Sequence, residues 1–156
     1  MQDEVYFRAG VGILVVDRLG RVLAAERSDH PGSWQAPQGG LGPHEEPVEA
    51  AARELFEEVG IPWSSVQVIA EHPTWIGYEL PPEARSERNG RGQVHKWFLV
   101  RYLGSDLEID ALLGDQPEFR AWRWRAMAEL VRDAWPLKRA VYDELARTWS
   151  DLIGEE

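Results

Sequence analysis

The sequence predicts an α/β fold, an α/β/α sandwich on a mixed β-sheet. Three observations predict it. Short apolar or alternating stretches of strand length recur between Val11 and Trp124. An amphipathic helical segment, Pro47 to Val59, interrupts them, and a second, Leu137 to Leu152, follows the last of them. Strands with helices on both faces bury the sheet from two sides.

Val11 to Val16 is an apolar run that reads as a buried strand. Arg18-Leu19-Gly20 turns the chain, and Val22 to Glu26 returns as a second strand. Pro37-Gln38-Gly39-Gly40-Leu41-Gly42-Pro43 is a loop whose glycines let backbone approach a ligand closely. The next segment, PVEAAARELFEEV from Pro47, is rich in helix formers, with proline at a tolerated first-turn position. Glu45 and Glu46 place negative charge at the helix start, and Gly60 followed by Pro62 is a stop signal. Val48, Ala51, Ala52, Leu55 and Val59 recur at helical spacing and are expected to form the buried stripe. Val66 to Ala70, Trp75 to Leu80 and Val94 to Tyr102 read as strands, and Phe119 to Trp124 alternates as a short strand. Glu83 to Arg91 is a compact polar loop.

Composition fits one domain over residues 1–156, long enough to bury a core. Hydrophobic residues make up 44%, ordinary for a globular protein. There are no cysteines, which excludes disulfides and thiolate zinc sites and suits a cytoplasmic location. The start, MQDEVYFRAG, lacks a basic-then-apolar leader pattern, and no membrane association is expected. The net charge of −10 argues against binding duplex nucleic acid by broad electrostatic grip. It leaves room for a polyphosphate held through cations that bridge protein carboxylates and phosphates.

Glu54, Glu57 and Glu58 fall together on the helical wheel, within roughly a 100° arc. At i, i+3 and i+4 they repel one another unless cations lie between them. Arg53 lies one turn before Glu57 and can pair with it or with Glu45. An acidic helix face is ordinarily just solvated. The glycine-rich loop immediately before this one makes a divalent-metal site that handles phosphates the better reading.

The whole spacing resembles the Nudix box: Gly39, Glu45, Arg53, Glu54, Leu55, Glu57, Glu58, Gly60 and Ile61, spanning 39–61 without departure. The resemblance implies a Nudix hydrolase, which cleaves a diphosphate linked to another moiety with Mg²⁺ or Mn²⁺. Trp34-Gln35-Ala36-Pro37-Gln38-Gly39-Gly40 is similar to the entry segment of RNA pyrophosphohydrolases and the related dinucleoside tetraphosphate hydrolases. Gly92 to Leu99, Pro117-Glu118-Phe119 with Trp122-Arg123-Trp124, and Lys138 to Tyr142 extend the likeness, so that it covers about Phe7 to Tyr142.

This resemblance implies metal ligation by Glu54, Glu57 and Glu58, with Glu118 approaching the cluster. Glu54, Glu57 and Glu118 are candidates for the general base, Glu57 being favoured as base and central ligand, and Arg53 orients the cluster. The Gln38–Gly39 backbone is a candidate carbonyl ligand, with Gly40 beside it. Arg8 and Arg27 correspond to arginines that meet phosphates, as guanidinium forks suit phosphate oxygens. Lys96 is a candidate for the same role, and Tyr78 for flanking a base. The family usually has Phe where this chain has Leu137, a ring associated with base stacking; Trp135 is the alternative ring. The tryptophans read mainly as core, with Trp34 and Trp75 the ones to examine for ligand contact. His30, His44, His72 and His95 show no metal-ligand spacing and read as surface or loop histidines.

The favoured substrate is the 5′-triphosphate end of RNA, with dinucleoside polyphosphates as further substrates. A second reading makes diadenosine polyphosphates or another free nucleotide the main target. A third, from a different class, is a Nudix module that senses a nucleotide without cutting it; the intact glutamates speak against that.

Overall fold

The computed structural model describes residues 6–112 and 117–154. Its strands are β1 (Phe7–Val16), β2 (Val22–Arg27), β3 (Trp34–Gln35), β4 (Gln38–Gly40), β5 (Val66–Glu71), β6 (Ile76–Glu79), β7 (Gly92–Tyr102) and β8 (Phe119–Arg125). The helices are α1 (Pro47–Val59), α2 (Met127–Asp133) and α3 (Arg139–Ile153). The sheet is mixed, in the order β3-β2-β1-β7-β5, with β4 beside β1, β6 beside β7 and β8 beside β2. β1 and β7 run parallel along all of β1; the other pairs are antiparallel. β1 changes neighbour on one side: Gly10 to Gly12 pair with β4, whereas Val16 pairs with Val22 of β2.

Val11 to Val16 is continuously apolar because β1 is covered on both faces. Val11, Ile13 and Val15 join Leu23, Phe98 and Val100 under Ala51, Leu55 and Val59 of α1. Leu14 and Val16 join Trp97 and Leu99 under Leu130 of α2 and Tyr142, Leu145 and Trp149 of α3. These two cores are the layers of an α/β/α sandwich. No described helix is long and apolar enough to cross a membrane.

The expected elements form, with shifted ends. α3 starts at Arg139 rather than Leu137, because Pro136–Lys138 form a separate 3₁₀ turn. The short elements β3, β4 and α2 lie below the length at which periodicity speaks. α1 ends as the sequence dictates, with Gly60 in the left-handed region at φ 73 and its N–H bonded to the Phe56 carbonyl.

One expectation about α1 is corrected. Val48 is in phase with the apolar stripe but lies in the first turn and stays 43% exposed, while Ala50 is fully buried. The helix is rolled toward its acidic side. At about 100° per residue Glu58 lies only about 60° from Leu55, so its carboxylate borders the buried arc. The histidine expectation is corrected as well. His72 and His95 are buried, His72 bonding the Thr74 carbonyl and facing the Glu144 carboxylate, His95 packing edge-on to Tyr78 and Trp97.

Leu55 is the apolar anchor of α1, fully buried in the first core. Leu55→Ala should lose about 2–5 kcal/mol of unfolding free energy. Urea denaturation followed by circular dichroism would read the shift; a change below about 1 kcal/mol would show that α1 is not anchored there.

Candidate active site

The edge where α1 meets β4 opens into a cleft of about 700 Å³. Three carboxylates line it: Glu54 and Glu58 from α1, and Glu118, just ahead of β8. Four cations line it too: Arg8 from β1, Arg27 at the end of β2, Arg88 from the loop before β7, and Lys138 from the turn before α3. Tyr78 of β6 and Trp135 stand at the same cleft, their rings edge to face with centroids 6.4 Å apart. Ser86, Arg88 and Asn89 bring the polar Glu83–Arg91 loop to it.

Arg53 holds the acidic end together. Its Nε and Nη2 donate to the two carboxylate oxygens of Glu45, each at 2.8 Å. Nη1 donates to Glu54 at 2.7 Å and Glu57 at 3.0 Å, and Nη2 also donates to the Gly40 carbonyl. One planar fork thus ties the glycine loop to two glutamates of the helix, a geometry lysine does not reproduce. Gly39 is required by close approach: the Glu54 carboxyl fills the space its Cβ would take. Gly40 likewise backs onto the Arg8 guanidinium.

Burial pushes the Glu54 carboxyl above its ordinary pKa, against the pull of Arg53. Glu58 is raised further, by burial and by the adjoining Glu118 carboxyl, although the Gln38 N–H donates to it at 2.9 Å. Carboxyls that close share a proton or a cation. Among the described residues no three acidic or histidine side chains converge on one point in ligand geometry. The hydrogen bonds explain this, since Arg53 draws Glu54 and Glu57 to itself. The donor set is nonetheless all carboxylate oxygen, partly desolvated and mutually repelling, which fits a hard divalent cation.

The expected site residues do not all meet. Glu54, Glu58, Glu118, Arg8, Arg27, Gly39, Gly40 and Tyr78 line the cleft. Glu57 does not; its side chain is 56% exposed and bonded to Arg53. Lys96 lies away from the cleft, paired with Glu71 at 3.3 Å, because neighbouring strand residues face opposite sides and His95 takes the cleft face. Leu137 is 37% exposed and does not line the cleft, whereas Trp135 does. Trp75 is exposed elsewhere, and Trp34 is buried beneath the guanidinium groups of Arg123 and Arg125.

Lys138, Gln35 and His95 line the cleft without having been singled out from the sequence. Lys138 is buried, and desolvation together with Arg27 brings its pKa down to about 8. Burial and the neighbouring cations Lys138 and Arg8 lower His95 to about 3, so it is a neutral wall at physiological pH. A lysine between Leu137 and Arg139 carries no periodic signal of burial; only its place in the Lys138–Tyr142 segment pointed to it.

The NUDIX domain family model matches residues 6–145. The chain belongs to the Nudix family. A curated Nudix relative, the RNA pyrophosphohydrolase of Cereibacter sphaeroides, is 46% identical over 147 residues, covering 92% of this chain and 90% of the relative. The RNA pyrophosphohydrolase of Wolbachia pipientis subsp. Culex pipiens is 38% identical over 156 residues, covering 98% of this chain and 95% of that one. Among solved structures, a Caenorhabditis elegans Ap4A hydrolase binary complex matches with TM-score 0.70 at 18% identity, covering 93% of this chain and 99% of that one. That likeness is one of fold. Nudix enzymes generally need divalent metal ions, in keeping with the carboxylate cluster.

Proposed function

We propose that this Nudix enzyme hydrolyses the 5′-polyphosphate of RNA ends, with dinucleoside polyphosphates as further substrates, and that it uses Mg²⁺ or Mn²⁺. The observation that carries this reading is the cleft itself, where Glu54, Glu58 and Glu118 stand beside Arg8, Arg27 and Lys138. A polyphosphate suits such a site, since carboxylates bind it through cations and basic groups bind it directly. The RNA pyrophosphohydrolase relatives, 38–46% identical over most of the chain, favour an RNA end over a free nucleotide. An RNA substrate and the absence of cysteine go with a cytoplasmic enzyme.

Glu54, Glu57, Glu58 and Glu118 would hold the metal. A divalent cation supplies neutralisation of charge on phosphate oxygens and a more acidic water. Glu57 accepts the proton of the attacking water, and Arg53 keeps Glu54 and Glu57 oriented. Arg8, Arg27 and Lys138 receive the charge of the transferred and leaving phosphates. Trp135 and Tyr78 offer rings to the first bases, replacing the ring absent at Leu137.

Lys138 imposes a pH dependence. With its pKa near 8 the ammonium is charged below that pH and neutral above it. Substrate affinity should therefore fall as pH rises through about 8, visible as rising KM. In Lys138→Arg the guanidinium stays charged, and the alkaline rise in KM should disappear up to about pH 10. An unchanged alkaline limb in that variant would remove Lys138 from phosphate binding.

The function is tested by giving the protein and Mg²⁺ or Mn²⁺ two substrates side by side, 5′-triphosphorylated RNA and diadenosine tetraphosphate. Release of pyrophosphate or phosphate from RNA at the higher kcat/KM is expected. Turnover of the dinucleotide alone, to ATP and AMP, would move the enzyme to free nucleotides. Tight binding without turnover would make it a sensor.

A further inference from the structure

The Glu83–Arg91 loop brings one charged residue to the cleft, Arg88; Glu83 and Glu87 of the same loop do not line it. The loop is clamped in place. Arg85 Nε donates to the Leu80 carbonyl at 2.9 Å, the Gly90 N–H to the Ser86 carbonyl at 2.7 Å, and the Arg91 N–H to the Tyr6 carbonyl at 2.8 Å. Gly90 is required there: its φ is 72, and a Cβ would stand 2.7 Å from the Tyr6 carbonyl oxygen. The other polar side chains that the loop brings to the cleft are engaged within the loop. The Ser86 hydroxyl accepts from the Asn89 N–H at 3.0 Å, and the Asn89 amide donates to the Ala84 carbonyl at 3.2 Å. Arg88 differs. It is exposed, and no hydrogen bond or ion pair engages its side chain among the described residues.

The other three cations of the cleft are tied to its inner wall. The Arg8 guanidinium backs onto Gly40. Arg27 and Lys138 meet at the Gln35 side-chain oxygen, at 3.5 and 3.2 Å, and both feel the Glu118 charge. A 5′-polyphosphate held by a cation among the glutamates falls to these three. An RNA chain brings a further anion beyond its first nucleotide, the phosphodiester, which a free nucleotide or a dinucleoside polyphosphate lacks. We propose that Arg88 is a specificity-determining residue: its guanidinium binds a backbone phosphodiester of the RNA chain and so favours an RNA end over a nucleotide. This rests on the RNA-end reading above. A guanidinium fork suits the two non-bridging oxygens, and such a contact positions the chain without reading its sequence.

Two variants test this, Arg88→Gln, which removes the charge, and Arg88→Lys, which keeps it. Binding of a short 5′-monophosphorylated RNA and of AMP is measured by calorimetry, and KM and kcat on 5′-triphosphorylated RNA and diadenosine tetraphosphate. Arg88→Gln should weaken the RNA and raise its KM about three- to tenfold, with kcat within about threefold of wild type. AMP and the dinucleotide should change by less than about twofold. The plot of log affinity for RNA against log salt should become shallower by about 0.7 in Arg88→Gln and stay near the wild-type slope in Arg88→Lys. An equal loss for AMP and RNA would place Arg88 on the 5′-phosphates and overturn the inference. Wild-type RNA affinity in Arg88→Gln would overturn it too, as would a wild-type protein that binds RNA no better than AMP. Arg88-dependent RNA binding in a protein that cuts no triphosphate end would uphold the inference and refute the proposed reaction. RNA cleavage indifferent to Arg88 would do the reverse.

Discussion

Glu57→Gln should fold as the wild type does and lose about 10²–10⁴-fold in kcat at saturating Mg²⁺. The side chain is 56% exposed and packs in neither core, and its one ion pair among the described residues, with Arg53, is at the surface. Exposed pairs contribute little, so the unfolding free energy should move by less than about 1 kcal/mol. Glutamine keeps the shape and the acceptor for Arg53 but cannot take a proton. Glu57 lies three residues from Glu54 on the same turn and shares Arg53 Nη1 with it, which places it where a cation could draw it inward. Steady-state kinetics with thermal melts decides the matter. Near-wild-type kcat would pass the base to Glu54, whose carboxyl sits against Gly39 inside the cleft. Desolvation raises the Glu54 pKa, so a Glu54 base would shift the acid limb of the pH profile upward.

How far the sequence carried this picture depended on whether the cause of a feature was local. Val11 to Val16 and the Pro47–Gly60 segment declare themselves, because period, proline and glycine act within a few residues. The glutamates were legible for the same reason: three carboxylates on one turn need no tertiary information. The roll of α1 was not legible, since Ala50 is buried and Val48 exposed by what the sheet and glycine loop cover, not by the helix's own pattern. Lys96 was misplaced by one strand position; the register of β7 against β1, Gly10 opposite His95 and Val11 opposite Lys96, decides which residue reaches the cleft. Lys138 comes from a turn 103 residues beyond Gln35, and its meeting with Gln35 and Arg27 of the neighbouring strands β3 and β2 is a product of packing.

Glu58→Gln should act in opposite directions on stability and catalysis. Burial and the Glu118 carboxyl hold the Glu58 pKa well above its ordinary 4.5. The folded protein therefore keeps a proton at pH values where the unfolded chain has released it. A raised carboxyl pKa contributes stability that is fully present below about 4.5 and is lost as pH rises through 4.5 toward the folded value. At pH 7 without metal the carboxyl is thus a liability, and the amide removes it while its oxygen still accepts from the Gln38 N–H. The variant should be the more stable there, with a Tm above that of the wild type, and the gain should vanish near pH 4. Divalent cation should reverse the order, raising Tm of the wild type more than that of the variant, because binding to the folded state alone stabilises it. Loss of the ligand should at the same time lower kcat/KM by at least about 10²-fold. Scanning calorimetry at pH 4 and 7, with and without Mg²⁺, reads all of this. A variant no more stable than wild type in metal-free buffer at pH 7 would mean that Glu58 and Glu118 relax apart without a cation. The acidic cluster would then be built by the metal rather than waiting for it.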